Sequence, residues 1–257
     1  MLPSFFLAHG APTLVLENNE YTKFLRDLAN ELQRPKGIVL FSAHWEEPIQ
    51  SISGVETYDM IYDFYGFPDE MYQITYPATG NKQMTKEIQA LLTAQGIPSR
   101  IDEKRGLDHG AWVILRLMYP DADIPVTTLS VNPALPPQEQ YQIGRALASL
   151  RDKDILIIGS GGTVHNLRRL EWNGTHPNEW AVAFDRWLAN QLEEWDLESL
   201  FQYENRAPYA KDAVPRNEHF IPLLIAMGAA NDQRKANLLY QNYQYGTLSL
   251  SCWQFGE

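Results

Sequence analysis

The sequence predicts an α/β protein with three layers, α/β/α, built on a central mixed, mostly parallel sheet. Short runs rich in Ile, Val, Leu or Phe lie between turn residues, with the length and composition of buried strands. Segments of helical periodicity alternate with them, the order that produces a parallel sheet covered on both faces. Histidines follow several of the apolar runs, at the strand ends where open α/β sheets collect ligands.

In chain order, Phe5 to Ala8 is the first strand and leads directly into His9. Tyr21 to Leu32 is the first helix, and Gly37 to Phe41 the second strand, with His44 three residues beyond it. Helices follow at Gln83 to Ala94 and Ala111 to Met118, then a strand at Val126 to Val131. Pro136 and Pro137 open a helix running to Leu150, since proline's missing amide hydrogen costs nothing in a first turn. Asp154 to Ile158 is a further strand, and Gly159-Ser160-Gly161-Gly162-Thr163 after it reads as a tight turn that brings His165 to the same rim. That glycine stretch lacks the lysine of a phosphate loop, the GxGxxG spacing and the GxSxG elbow. Glu179 to Trp195 is helical, and Pro222 starts another helix close to His219. Gly246 to Ser251 alternates apolar with polar, as a strand with one wet face does.

At 257 residues and 44% hydrophobic content the chain can bury a large core. One domain, residues 1–257, is expected, because the histidine segments run from position 9 to 219 with no linker, repeat or low-complexity tract between them. A formal charge of −11 excludes a nucleic-acid role, which needs a concentrated Lys/Arg face. No apolar run approaches the roughly 18 residues of a membrane span. Met1-Leu2-Pro3-Ser4 has no basic stretch of the kind that opens a secretory signal, so a cytoplasmic protein is expected and the sequon Asn173-Gly174-Thr175 is a chance match. Cys252 is the only cysteine, which rules out an internal disulfide and a cysteine-cluster metal site.

Any one histidine is more often a hydrogen-bonded core or surface imidazole than a ligand, but the set carries more weight. His9, His44 and His219 would present three nitrogens to a divalent metal, at about 2.0–2.1 Å if the ion is zinc. His165 would serve as general base or as a fourth nitrogen on the metal. Asp108 either caps the helix that follows or faces the cleft, and His109 beside it is a second proton-transfer candidate. Glu218 would suit a 2-His-1-carboxylate Fe(II) triad, yet neighbours in sequence do not readily reach one ion. A place in a helix's first turn, favoured by the macrodipole, is expected for it instead. His176, beside Pro177, is expected at the surface. At this level a zinc hydrolase and a non-catalytic protein that binds metal or an aromatic ligand both remain open.

Eight segments, in this order across nearly the whole chain, carry a resemblance: His9-Gly10-Ala11-Pro12, Ser42-Ala43-His44-Trp45, Tyr62-Asp63-Phe64-Tyr65-Gly66-Phe67-Pro68, Tyr76-Pro77-Ala78, Leu107-Asp108-His109-Gly110-Ala111-Trp112, Tyr119-Pro120-Asp121-Ala122-Asp123-Ile124-Pro125, Val164-His165-Asn166-Leu167 and Glu218-His219-Phe220-Ile221-Pro222-Leu223-Leu224. The chain resembles the LigB-type (class III) extradiol ring-cleavage dioxygenases, in the branch of the 4,5-DOPA dioxygenases. The resemblance implies metal binding by His9, His44 and His219, with His165 at the catalytic-histidine position, close enough to ligate in some metal-bound forms. It places His109 near the substrate, and Asp108 and Tyr62 are expected to bind substrate. It further implies opening of a catechol ring with O2 to a semialdehyde, Fe(II) for activity, and zinc as an alternative bound metal; a homo-oligomer is compatible with it. Two departures, Tyr62 where the family has histidine and Thr79 where it has proline, touch no ligand but bear on the substrate.

Overall fold

The computed structural model describes residues 1–257 except Thr175 and Asn231, so the last residue of the sequon lies outside the described residues. The chain begins with β1 (Ser4–Ala8), α1 (Glu20–Glu31), β2 (Gly37–Glu46), β3 (Gln50–Ser53), α2 (Lys82–Ala94) and β4 (Ser99–Asp102). It continues through α3 (His109–Met118), β5 (Val126–Val131), α4 (Pro137–Leu147), β6 (Ile155–Gly161) and α5 (Glu179–Glu193). Three short helices, α6 (Leu197–Phe201), α7 (Tyr203–Arg206) and α8 (Ala210–Ala213), lead to α9 (Ile221–Ala229). The end is β7 (Ala236–Tyr240), β8 (Tyr243–Gln244), β9 (Leu248–Ser249) and β10 (Cys252–Phe255).

The main sheet has the order β4-β3-β5-β2-β6-β1-β10-β7. Its centre, β5-β2-β6-β1, is parallel throughout, whereas β3 meets β5 and β10 meets β1 antiparallel. The expected mixed, mostly parallel sheet is therefore the observed one. Alternation along the central strands shows why three layers form. Phe5, Leu7, Ile38, Leu40, Leu156 and Ile158 face one core with α1 and α3. Phe6, on the other face, packs with α5 and α9, while Val39, Phe41 and Ile157 pack with α2, α4 and α9. Both faces are dry, so the strands read as continuous apolar runs.

Several boundaries moved for identifiable reasons. β2 continues past Phe41 to Glu46 through a register irregularity against β5, so His44 is part of the strand. β6 likewise runs through Gly161, and its glycines serve close packing. A Cβ on Gly161 would overlap the carbonyl oxygen of His219, and one on Gly159 that of Pro222. Where a solvent-facing strand was expected at 246–251, only Leu248–Ser249 pairs, and Leu248 to Ser251 are all buried. The hydroxyls of Ser249 and Ser251 find a buried carboxylate, Asp185, in place of water. β3, β4, β7 and β10, each four or five residues long, are not among the strands read from the sequence. Among the described residues no helix is long and apolar enough to cross a membrane.

Gly161→Ala is expected to cost about 1–3 kcal/mol, the usual range for overpacking. A denaturation midpoint equal to that of the unmodified protein would show that β6 and the His219 segment are not in close contact.

Candidate metal centre and active site

Each site histidine is delivered by a different element. His9 follows the last residue of β1, His44 lies near the end of β2, and His109 opens α3. His165 is reached four residues after β6, and His219 stands in the turn before α9. All five meet at the carboxyl ends of the central strands. Nε2 of His44 lies 3.0 Å from Nε2 of His9 and 3.2 Å from Nε2 of His219. The His109 ring sits with its centroid 3.9 Å from that of His44. His165 stacks on His219, centroids 3.5 Å apart and planes at 7°. His176 is exposed, as expected.

Partners on the far side of each ring set its tautomer. Ser160 Oγ donates its proton to the Gly110 carbonyl at 2.5 Å, so it can only accept from Nδ1 of His9 at 3.0 Å. Asp63 accepts at Oδ2 from Nδ1 of His44, 3.1 Å away, and the Glu218 carboxylate accepts from Nδ1 of His219 at 3.1 Å. With every Nδ1 protonated, the three Nε2 atoms carry bare lone pairs. Atoms so arranged cannot hydrogen-bond to one another; they suit a cation, and this donor chemistry fits a divalent metal.

Burial disfavours protonation of four of the rings. It pushes His9, His109 and His219 below the ordinary imidazole range, reinforced by neighbouring imidazoles, although the bond to Asp63 pulls His109 back up. His165 is driven down to about 3, by burial first and then by the nearby His44 and His109. Burial alone would raise Asp63, but hydrogen bonds from His109 and His44 outweigh it and hold the carboxyl well below its usual range. Glu218 is raised by burial.

Asp63 is the residue the sequence reading missed. Its Oδ1 accepts from both Nδ1 and the backbone N–H of His109, at 2.8 and 3.0 Å, while Oδ2 serves His44. It was visible only as the middle of Tyr62-Asp63-Phe64. Ser160 was also overlooked, hidden inside the glycine stretch.

Three further residues singled out in the sequence are placed as follows. Asp108 is 2% exposed, and both its oxygens are engaged away from the cleft. Oδ1 accepts from Ser42 Oγ at 2.5 Å and caps α3 through the Ala111 N–H, while Oδ2 pairs with Arg105, which also donates to the His44 carbonyl. The Tyr62 hydroxyl donates to the Ile74 carbonyl at 2.6 Å, leaving its ring in an aromatic cluster with Phe64, Tyr72 and Trp112. Glu218 lies outside the first turn of α9, which begins at Ile221, and orients His219 instead.

Fold and cluster together define a class: an α/β/α protein in which His9, His44 and His109, and likewise His165, Glu218 and His219, lie close enough together to hold a metal ion at the carboxyl rim of its sheet. Residues 3–255 match the family described as the catalytic LigB subunit of aromatic ring-opening dioxygenase. A 4,5-DOPA dioxygenase extradiol of Beta vulgaris is 43% identical, the match covering 98% of this chain and 96% of that protein. One of Escherichia coli K12 is 36% identical, over 99% and 95%. The crystal structure of an uncharacterized protein from Escherichia coli K12 superposes with a TM-score of 0.86 at 34% identity, covering all of both chains. The chain belongs to the LigB family of extradiol ring-opening dioxygenases, a metal-dependent family of oxidoreductases.

The buried neutral imidazoles carry a stability cost in acid. Unfolded, His9, His109, His165 and His219 take up protons near pH 6.5, but folded they do so only at lower pH, so the unfolded state binds more protons. Stability of metal-free protein should therefore fall as pH drops below about 6.5, by up to about 1.4 kcal/mol per pH unit for each ring. Urea midpoints that stay flat between pH 7 and 5 would contradict this.

Proposed function

We propose that this protein opens the ring of a catechol, DOPA or a related aromatic diol, with O2 to give a semialdehyde. The observation that carries the reading is the closeness of the His44 Nε2 to the Nε2 atoms of both His9 and His219, each ring with its Nδ1 held by a separate acceptor. These three would hold the metal, Fe(II) for activity, with zinc as an inactive substitute. When bound, the ion supplies Lewis acidity that favours the ionised diol and, if iron, a redox route that zinc lacks.

The chain's own residues supply the proton chemistry. His165 stands over His219 with no side-chain hydrogen bond on its ring among the described residues, so one of its ring nitrogens is free to take a hydroxyl proton from the diol. Its plane is parallel to that of His219, so their in-plane lone pairs do not converge, which favours a base over a fourth ligand. His109, with Nδ1 committed to Asp63, offers Nε2 to the substrate side. Asp63 ties His44 and His109 together, coupling a ligand to a substrate-side residue through one carboxylate. Tyr62 and Phe64 would contribute apolar ring surface, and Asp108 acts by positioning β2 against α3. The thiol Cys252, buried against Tyr21, suits the reducing cytoplasm where we place the reaction.

Protein reconstituted anaerobically with Fe(II), then given air and DOPA or another catechol, should consume oxygen and develop visible absorbance. Zinc-loaded protein should bind catechol and do neither. Absence of oxygen uptake across a catechol panel would overturn the proposal. His165→Ala should lower kcat by about 10²–10⁴-fold while changing catechol affinity far less; unchanged turnover would remove it as base. In His44→Ala bound metal should be largely lost, and near-stoichiometric metal would take His44 out of the ligand set.

A further inference from the structure

One buried carboxyl group outside the histidine cluster has no ionic partner and no part in the chemistry above. Asp185, on α5, is 2% exposed. Its Oδ1 accepts from Thr163 Oγ1 at 2.7 Å, and its Oδ2 from Ser249 Oγ at 2.6 Å, the Tyr243 hydroxyl at 2.9 Å and Ser251 Oγ at 3.3 Å. All four partners are hydroxyls; among the described residues no cation pairs with it. Burying a carboxyl group without a counter-charge is costly and raises its affinity for a proton, and an apolar side chain of similar volume would stabilise the fold more cheaply. What the carboxylate does achieve is to collect donors from separate segments at one point.

Those segments converge on His165. Thr163 precedes it by two residues, and the Ser249 N–H donates to the carbonyl of Val164, its immediate neighbour, at 3.2 Å. Beyond, the His165 N–H donates to the Ala213 carbonyl at 2.9 Å, and the Asn166 side chain to the Asp212 carbonyl at 2.8 Å. The His165 ring itself makes no side-chain hydrogen bond among the described residues and rests by stacking on His219. A ring held that way takes its place from its backbone, and the backbone before it is anchored through Asp185.

We infer that Asp185 is a positioning residue for His165: by gathering Thr163, Ser249 and Ser251 it clamps the segment before the histidine and keeps the ring stacked over His219. The inference rests on the proposed role of His165 as base, but its structural half can be read without turnover.

Asp185→Ala removes four buried hydrogen bonds at once, so Thr163→Val, which keeps the shape and removes one hydroxyl, is the primary variant, with Thr163→Ser as its rescue. In zinc-loaded protein, the ring Hε1 proton resonance of His165, assigned by its loss in His165→Ala, should lie upfield from stacking. It should move toward the unstacked position in Thr163→Val and return in Thr163→Ser. In Fe(II)-loaded protein Thr163→Val should lower kcat about ten-fold, with KM and anaerobic catechol affinity within about two-fold and iron content unchanged, as a misplaced but intact group would. An unmoved resonance, a wild-type kcat, or failure of serine to restore both overturns the inference. If the unmodified iron protein consumed no oxygen, the proposed reaction would fall while the resonance still decided whether Asp185 places the ring.

Discussion

Three imidazole lone pairs aimed at one point repel unless a positive charge lies between them, and much of the surrounding structure prevents them from turning away. A free imidazole would rotate and solvate its nitrogen. His9 is held by Ser160, His44 by Asp63 and His219 by Glu218, each through the nitrogen opposite the cluster. Ser160 can accept only because its own proton is committed to the Gly110 carbonyl. The ring orientations therefore depend on a hydroxyl and two carboxylates on the far side of the rings.

Burial adds the second condition. A protonated imidazole cannot ligate, and removal from water lowers the affinity of His9 and His219 for protons, which favours their neutral form. The same low-dielectric surroundings strengthen the hydrogen bonds that orient the rings. The acid sensitivity of the metal-free fold and the readiness of the site for a cation have one origin. Asp63 joins the two halves of the site, since its two oxygens serve His44 and His109 separately. Asp185 is its counterpart on the far side, acting on the backbone before His165 where Asp63 acts on rings.

Local pattern made much of this readable. His9, His44 and His219 stand out because each adjoins an apolar run or a proline-started helix, and the central strands announce themselves by dryness on both faces. Asp63 and Asp185 gave no such signal. An acidic residue between two aromatics, or one on the face of a helix, looks like any solvated carboxylate until its partners, 46 and 22 residues away in sequence, are brought to it. Asp108 was ambiguous for the converse reason, because capping and substrate contact ask for the same side chain; Ser42 and Arg105 settle it for the interior.

Fold class, the order of the central strands and longer helices, and the placing of histidines at strand ends followed from the amino-acid order alone, because periodicity and flanking turn residues are short-range properties that survive without coordinates. Ring tautomers, the stacking of His165 on His219 and the buried roles of Asp63, Asp108 and Asp185 were decided only when the chain closed on itself. Each depends on which atom faces which across tens to hundreds of residues, and hydrogen-bond direction is not written in any local pattern.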